Sequence, residues 1–137
     1  MAVSRVLLLE PKLDLRRALQ ELLSAEGYTV EACGSLEELI ERHTAAHSDL
    51  ALAAWQSLDG LLADEHRHDL AQLTNRIPMV IMVPRVWLRV LQPLDLAVRG
   101  LLAKPFDADE LLACVAGSIQ SPEPTQAAAL HAGSSTA

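Results

Sequence analysis

Five times along the chain a short aliphatic run is followed by a longer stretch whose apolar residues recur at helical spacing. This alternation restricts the fold to a parallel sheet covered by helices on both faces. The runs are Val6-Leu-Leu-Leu-Glu10, Tyr28-Thr-Val-Glu-Ala-Cys33, Asp49-Leu-Ala-Leu-Ala-Ala54, Met79-Val-Ile-Met-Val83 and Gly100-Leu-Leu-Ala103. Tyr28 to Cys33 alternates like a half-buried edge strand. The others are apolar throughout their interiors, as strands buried on both faces must be.

The stretches between them carry the start and stop signals of helices. Leu15, Ala18, Leu19 and Leu22 form an i, i+3, i+4, i+7 stripe, and Gly27 ends that helix at a position open to the left-handed conformation. Ser35-Leu-Glu-Glu38 and Asp107-Ala-Asp-Glu110 are capping boxes; the first opens a helix to about Thr44, the second a helix with Leu111, Leu112, Val115 and Ile119 inward. A third helix is expected from near Gly60 to about Leu73, with the polar cluster Asp64 to Asp69 on its outer side. The fourth, from Arg85 to Leu96, is expected to be short or irregular because Pro93 removes a backbone donor. Residues 1–120 are read as one domain. Residues 121–137, rich in Pro, Ala, Ser and Thr, are read as a disordered tail.

Charge and composition remove several classes of partner. A formal charge of −7 repels phosphate backbones and anionic lipid headgroups, so neither nucleic acid nor a membrane surface is expected as a partner. Aromatic residues make up only 3% of the chain, too few for a base-stacking platform. The start of the chain lacks the regions of a signal peptide, and no apolar run is long enough to span a bilayer, so the expected address is the cytoplasm. Cys33 and Cys114 lie far apart outside any metal-ligand spacing and read as reduced core thiols. His66 and His68, two apart, point away from each other on a helix and read as a solvated face rather than a zinc site.

In such a sheet the functional crevice lies beyond the carboxyl ends of the strands. The residues there are Glu10 and Pro11, Ala54, Val83 and Lys104. Over roughly Arg5 to Ile119 the chain resembles the receiver domains of two-component response regulators. The resemblance rests on Val6-Leu-Leu-Leu-Glu-Pro-Lys-Leu-Asp-Leu-Arg16, Glu26-Gly-Tyr-Thr-Val30, Ser48-Asp-Leu-Ala-Leu52, Ile77-Pro-Met-Val-Ile81 and Lys104-Pro-Phe-Asp-Ala-Asp-Glu-Leu-Leu112. It implies a flavodoxin-like (βα)5 α/β fold, a doubly wound parallel five-stranded sheet of strand order 2-1-3-4-5.

The resemblance also implies a division of labour that this chain does not meet. In the family, two acids after the first strand hold Mg²⁺ and an aspartate after the third accepts a phosphoryl group. A hydroxyl after the fourth and a lysine after the fifth contact the phosphoryl oxygens. In-line transfer needs a nucleophilic carboxylate and neutralised equatorial oxygens. Here Ala54 stands at the acceptor position, Pro11 replaces the second acid, Val83 the hydroxyl, and Leu101 the aromatic whose rotation reports phosphorylation. Glu10 and Lys104 remain, expected to pair across the strand ends, with Pro105 shaping the turn through the cis bond the family implies. Trp55 is expected to fill the vacated acidic pocket as a hydrophobic plug. Asp59 is the nearest displaced acceptor, and Asp49 lies at the wrong end of its strand.

No catalytic group, metal or cofactor is therefore expected, and the chain is read as a pseudo-receiver that is not an enzyme. It acts through phosphorylation-independent binding of a signalling or regulatory protein, a second copy of itself included. The candidate face comprises Arg85, Trp87, Leu88, Arg89, Leu101 and Phe106, beside the edge that receivers use for docking; Trp and Arg are enriched at hot spots. Packing beneath the fourth helix is the competing role for Trp87. The alternatives are a ligand sensor using the degenerate crevice and a receiver phosphorylated at an unusual residue.

Overall fold

A computed structural model describes residues 4–58, 67–89 and 98–120. The expected start of the third helix near Gly60, Asp59, His66, Pro93 and the tail from 121 lie outside these residues.

The strands are β1 (Arg5–Leu9), β2 (Thr29–Cys33), β3 (Leu50–Ala54), β4 (Met79–Pro84) and β5 (Gly100–Lys104). The helices among the described residues are α1 (Leu13–Ala25), α2 (Leu36–Ala45), α3 (Arg67–Arg76) and α4 (Ala108–Gln120). One sheet of order β2-β1-β3-β4-β5 results, every neighbouring pair parallel. Fold class and strand order agree with the expectation from the sequence.

Continuous apolar strands are required because each face has its own core. On one face Leu7, Leu9, Ala51, Ala53, Ile81 and Val83 pack with Leu39 of α2 and Leu70 and Leu73 of α3. On the other, Val6, Leu8, Leu50, Leu52, Ala54 and Met82 pack with Leu19 and Leu23 of α1 and Leu111, Cys114 and Val115 of α4. Each fully buried leucine contributes about 1.5–3 kcal/mol. Cys33 and Cys114 are free, buried thiols, and burial pushes both up to about 11, far from thiolate reactivity.

Local signals set the helix ends. Gly27 has φ +99°, its N–H donates to the Ser24 carbonyl (3.0 Å), and the Tyr28 N–H reaches Leu23 (3.2 Å). That is a complete Schellman motif closing α1. Ser35 Oγ accepts from the Glu38 N–H at 3.1 Å, while Asp107 and Glu110 exchange reciprocal bonds of 2.8 and 3.1 Å. Helix α3 runs to Arg76, past the expected end near Leu73. The Ile77 N–H bonds the Leu73 carbonyl (2.9 Å) and Ile77 is buried in the core, so packing extends the helix until Pro78 disfavours a further turn. The expected irregular fourth helix is, in its described part, a 3₁₀ turn over Arg85–Arg89.

Candidate functional site at the carboxyl ends of the strands

Glu10 immediately follows β1 and its side chain is fully buried. Lys104 Nζ, at the end of β5, donates to Glu10 Oε1 at 2.8 Å, and the Lys12 N–H donates to Oε2 at 3.0 Å. The Arg16 guanidinium bonds the Glu10 backbone carbonyl at 3.2 Å. Strands β3 and β4 lie between β1 and β5, three inter-strand steps or about 14 Å across a flat sheet. The Glu10–Lys104 pair therefore stretches over the ends of β3 and β4, where Ala54 and Val83 lie. Lys104–Pro105 is a cis peptide.

Beneath this pair the positions of the implied chemistry are apolar. Ala54 and Val83 are both fully buried, and they belong to the cores on opposite faces of the sheet. Pro11 is exposed and carries no ligand atom. A methyl group cannot form an acyl phosphate, so phosphoryl transfer to position 54 is chemically excluded. The donor set does not fit Mg²⁺ either. Among the described residues that end these strands Glu10 is the one carboxylate, and both of its oxygens are engaged, whereas Mg²⁺ takes one or two carboxylates plus phosphate oxygens and waters. Among the described residues no group of three or more His, Cys, Asp or Glu side chains is placed to hold a metal.

The crevice is not the hydrophobic plug expected of Trp55. A retained ion pair occupies it, Lys104 neutralising the buried Glu10. Trp55 opens a 3₁₀ turn (Trp55–Leu58) and packs on Trp87, ring centroids 4.5 Å apart and planes tilted by 54°. Both rings are half-buried against the α2–α3 core.

The six residues of the candidate face separate by burial. Arg85 and Arg89 are exposed, as is Val86 between them at 64%; Trp87 and Leu88 are half-buried. Leu101 is 4% exposed and lies beneath this turn's core, while Phe106 packs against the opposite core. Arg85 Nη2 donates to the Pro105 carbonyl at 2.8 Å. Nothing local in the chain signals this bond or the Trp55–Trp87 contact. Asp49 immediately precedes β3 at its amino end, where its carboxylate accepts the Arg5 N–H at 2.8 Å. His68 is exposed on α3.

No protein-family model and no curated protein matches the sequence. Solved structures do. The chemotaxis response regulator CheY4 of Vibrio cholerae superposes with a TM-score of 0.69 at 17% identity, covering 85% of this chain and 99% of that one. A putative response regulator from Chloroflexus aurantiacus gives 0.71 at 18% identity, covering 88% and 100%. The receiver domain of the TMAO respiratory system response regulator TorR gives 0.67 at 23% identity, covering 82% and 93%. At such identities the likeness concerns the fold. No helix among the described residues is long and apolar enough to cross a membrane.

Proposed function

We propose that this chain, which has the fold of response-regulator receiver domains, serves signal transduction as a pseudo-receiver: it takes up no phosphoryl group at the usual site and works by binding another protein. The observation that carries the reading is the fully buried methyl group of Ala54 at the acceptor position, beneath a Glu10 carboxylate whose two oxygens are taken by the Lys104 ammonium and the Lys12 N–H. A receiver switch needs a nucleophile and a metal-held phosphoryl group, and the described residues at the acceptor and metal positions, Ala54 and Pro11, favour neither. With chemistry removed, what the carboxyl end offers is a surface. The exposed Arg85, Val86 and Arg89, backed by Trp87, supply the arginine and aromatic character of a docking patch.

The decisive experiment is incubation with acetyl phosphate or phosphoramidate and Mg²⁺, read by intact-mass spectrometry. The expected spectrum is unchanged. A stoichiometric gain of one phosphoryl group, localised to residues of the carboxyl-end crevice, would overturn the proposal.

A further inference from the structure

Three side-chain contacts run in sequence around the carboxyl-terminal rim of the sheet. Glu10 after β1 meets Lys104 at the end of β5 (2.8 Å), the Pro105 carbonyl just beyond meets Arg85 after β4 (2.8 Å), and Trp87 of the same turn meets Trp55 after β3. The four strand ends are thus linked in the order β1, β5, β4, β3.

We infer that these contacts form a preassembled clasp in which Trp55 is the positioning residue for the Arg85–Arg89 turn, holding it in a single conformation. The inference rests on the reading of that turn as the docking patch and adds how its geometry is maintained.

The turn has little means of holding itself. It is a 3₁₀ segment of five residues, a geometry with poor hydrogen bonds, and none of its residues is fully buried. Its shape therefore depends on what its side chains touch. Leu88 and Trp87 reach the core, and Trp87 meets Trp55 of the neighbouring turn. A tilted ring pair at this separation adds about 0.5–1.5 kcal/mol beyond the area it buries. That is enough to shift a marginal turn from mostly open to mostly closed, since 1.4 kcal/mol is about tenfold in an equilibrium. Arg85, bound to the Pro105 carbonyl, fixes the other end of the turn. Trp55 itself is anchored by Leu58, its fully buried neighbour at the end of the same 3₁₀ turn.

Hydrogen exchange of the whole chain, read by mass spectrometry over peptides spanning 85–89, tests the clasp. Trp55→Ala alters no residue of that turn, yet exchange there is expected to accelerate about tenfold. Peptides of β1 and β2 should be unchanged, and Trp55→Phe, which keeps an aromatic ring, should restore most of the protection. Trp55→Leu, apolar but unable to form the ring pair, carries the same expectation as alanine if the alanine variant does not fold. Unchanged exchange over 85–89 in a folded Trp55→Ala or Trp55→Leu protein overturns the inference. That outcome differs from failure of the functional proposal, which phosphoryl uptake would reveal whether or not the clasp holds.

Discussion

At the carboxyl ends of the strands a single carboxylate, Glu10, is wholly buried and answered by a single ammonium, Lys104, 18% exposed. Along the other flank, where α2 covers β1 and β2, Arg5, Glu31, Arg42 and Glu38 form a chain of ion pairs whose side chains are each 24–40% exposed. The flank has more charges, but water shares in solvating each, so losing one costs little. At the rim Glu10, fully buried in its pair with Lys104, cannot lose its partner cheaply. Much charge can mean little energetic consequence, and one isolated pair can decide whether a site is intact.

The sharpest way to break this comparison is Lys104→Met. It strands Glu10 as an uncompensated buried charge, a change that costs about 3–5 kcal/mol. Urea unfolding should show that loss, and Glu10→Gln combined with Lys104→Met should recover much of it. A loss below about 1 kcal/mol would mean the rim behaves like the exposed flank.

Ala54→Asp comes next. The new carboxylate enters a fully buried position in the α1–α4 core, under a lysine already committed to Glu10, and should cost about 2 kcal/mol or more. It should still gain no phosphoryl group from acetyl phosphate and Mg²⁺, because Pro11 and Val83 remain. Efficient phosphorylation of this single variant would show that the rim retains its chemistry and lacks only the nucleophile.

On the flank, the turn leading from α1 into β2 contains a stronger constraint than any of its salt bridges. Gly27→Ala meets no atom within 4 Å, so the whole effect comes from forcing φ +99° on an L side chain. About 1–2 kcal/mol is expected in urea unfolding. An unchanged midpoint would indicate that the turn relaxes to a negative φ.

What could be read in the chain beforehand follows the same division between local and long-range. Gly27, the Ser35–Glu38 box and the Asp107–Glu110 box act within four residues, so their motifs in the sequence carry the geometry. The apolar strands announce two-sided burial because every position must find cover. That position 54 carries no nucleophile follows from residue type alone, since no packing turns an alanine into one. Trp55 was misread because its partner lies 32 positions on in another turn, and no periodicity links the two. Leu101 and Phe106 were grouped with Trp87 on one face by nearness in the fold, but strand alternation and the bend at Pro105 send them to different cores. The end of α3 was placed early because Ile77, following a polar stretch, gives no helical signal until its burial is known.

The smallest expected effect concerns His43, in α2, and it tests whether the flank hides one group that behaves like the rim. His43 Nδ1 lies 2.6 Å from the Oγ of fully buried Ser48 and accepts the Ser48 N–H at 3.3 Å, while the ring also bonds the Arg76 backbone carbonyl. Nδ1 is therefore an acceptor and the ring neutral. Burial lowers its pKa from the ordinary 6.5; the nearby His47 charge, and those of Arg76 and Arg5, lower it further, opposed by the Arg76 carbonyl bond. A folded-state pKa below the unfolded value means the unfolded chain binds more protons between the two. The contribution is thus complete above 6.5 and is lost as pH falls from there through the lower folded value. Urea midpoints from about pH 8 to about pH 5 should fall more steeply for the wild type than for His43→Asn, whose amide oxygen supplies a non-titrating acceptor. Parallel profiles would place His43 with the solvated charges around it, and the contrast between flank and rim would then be complete.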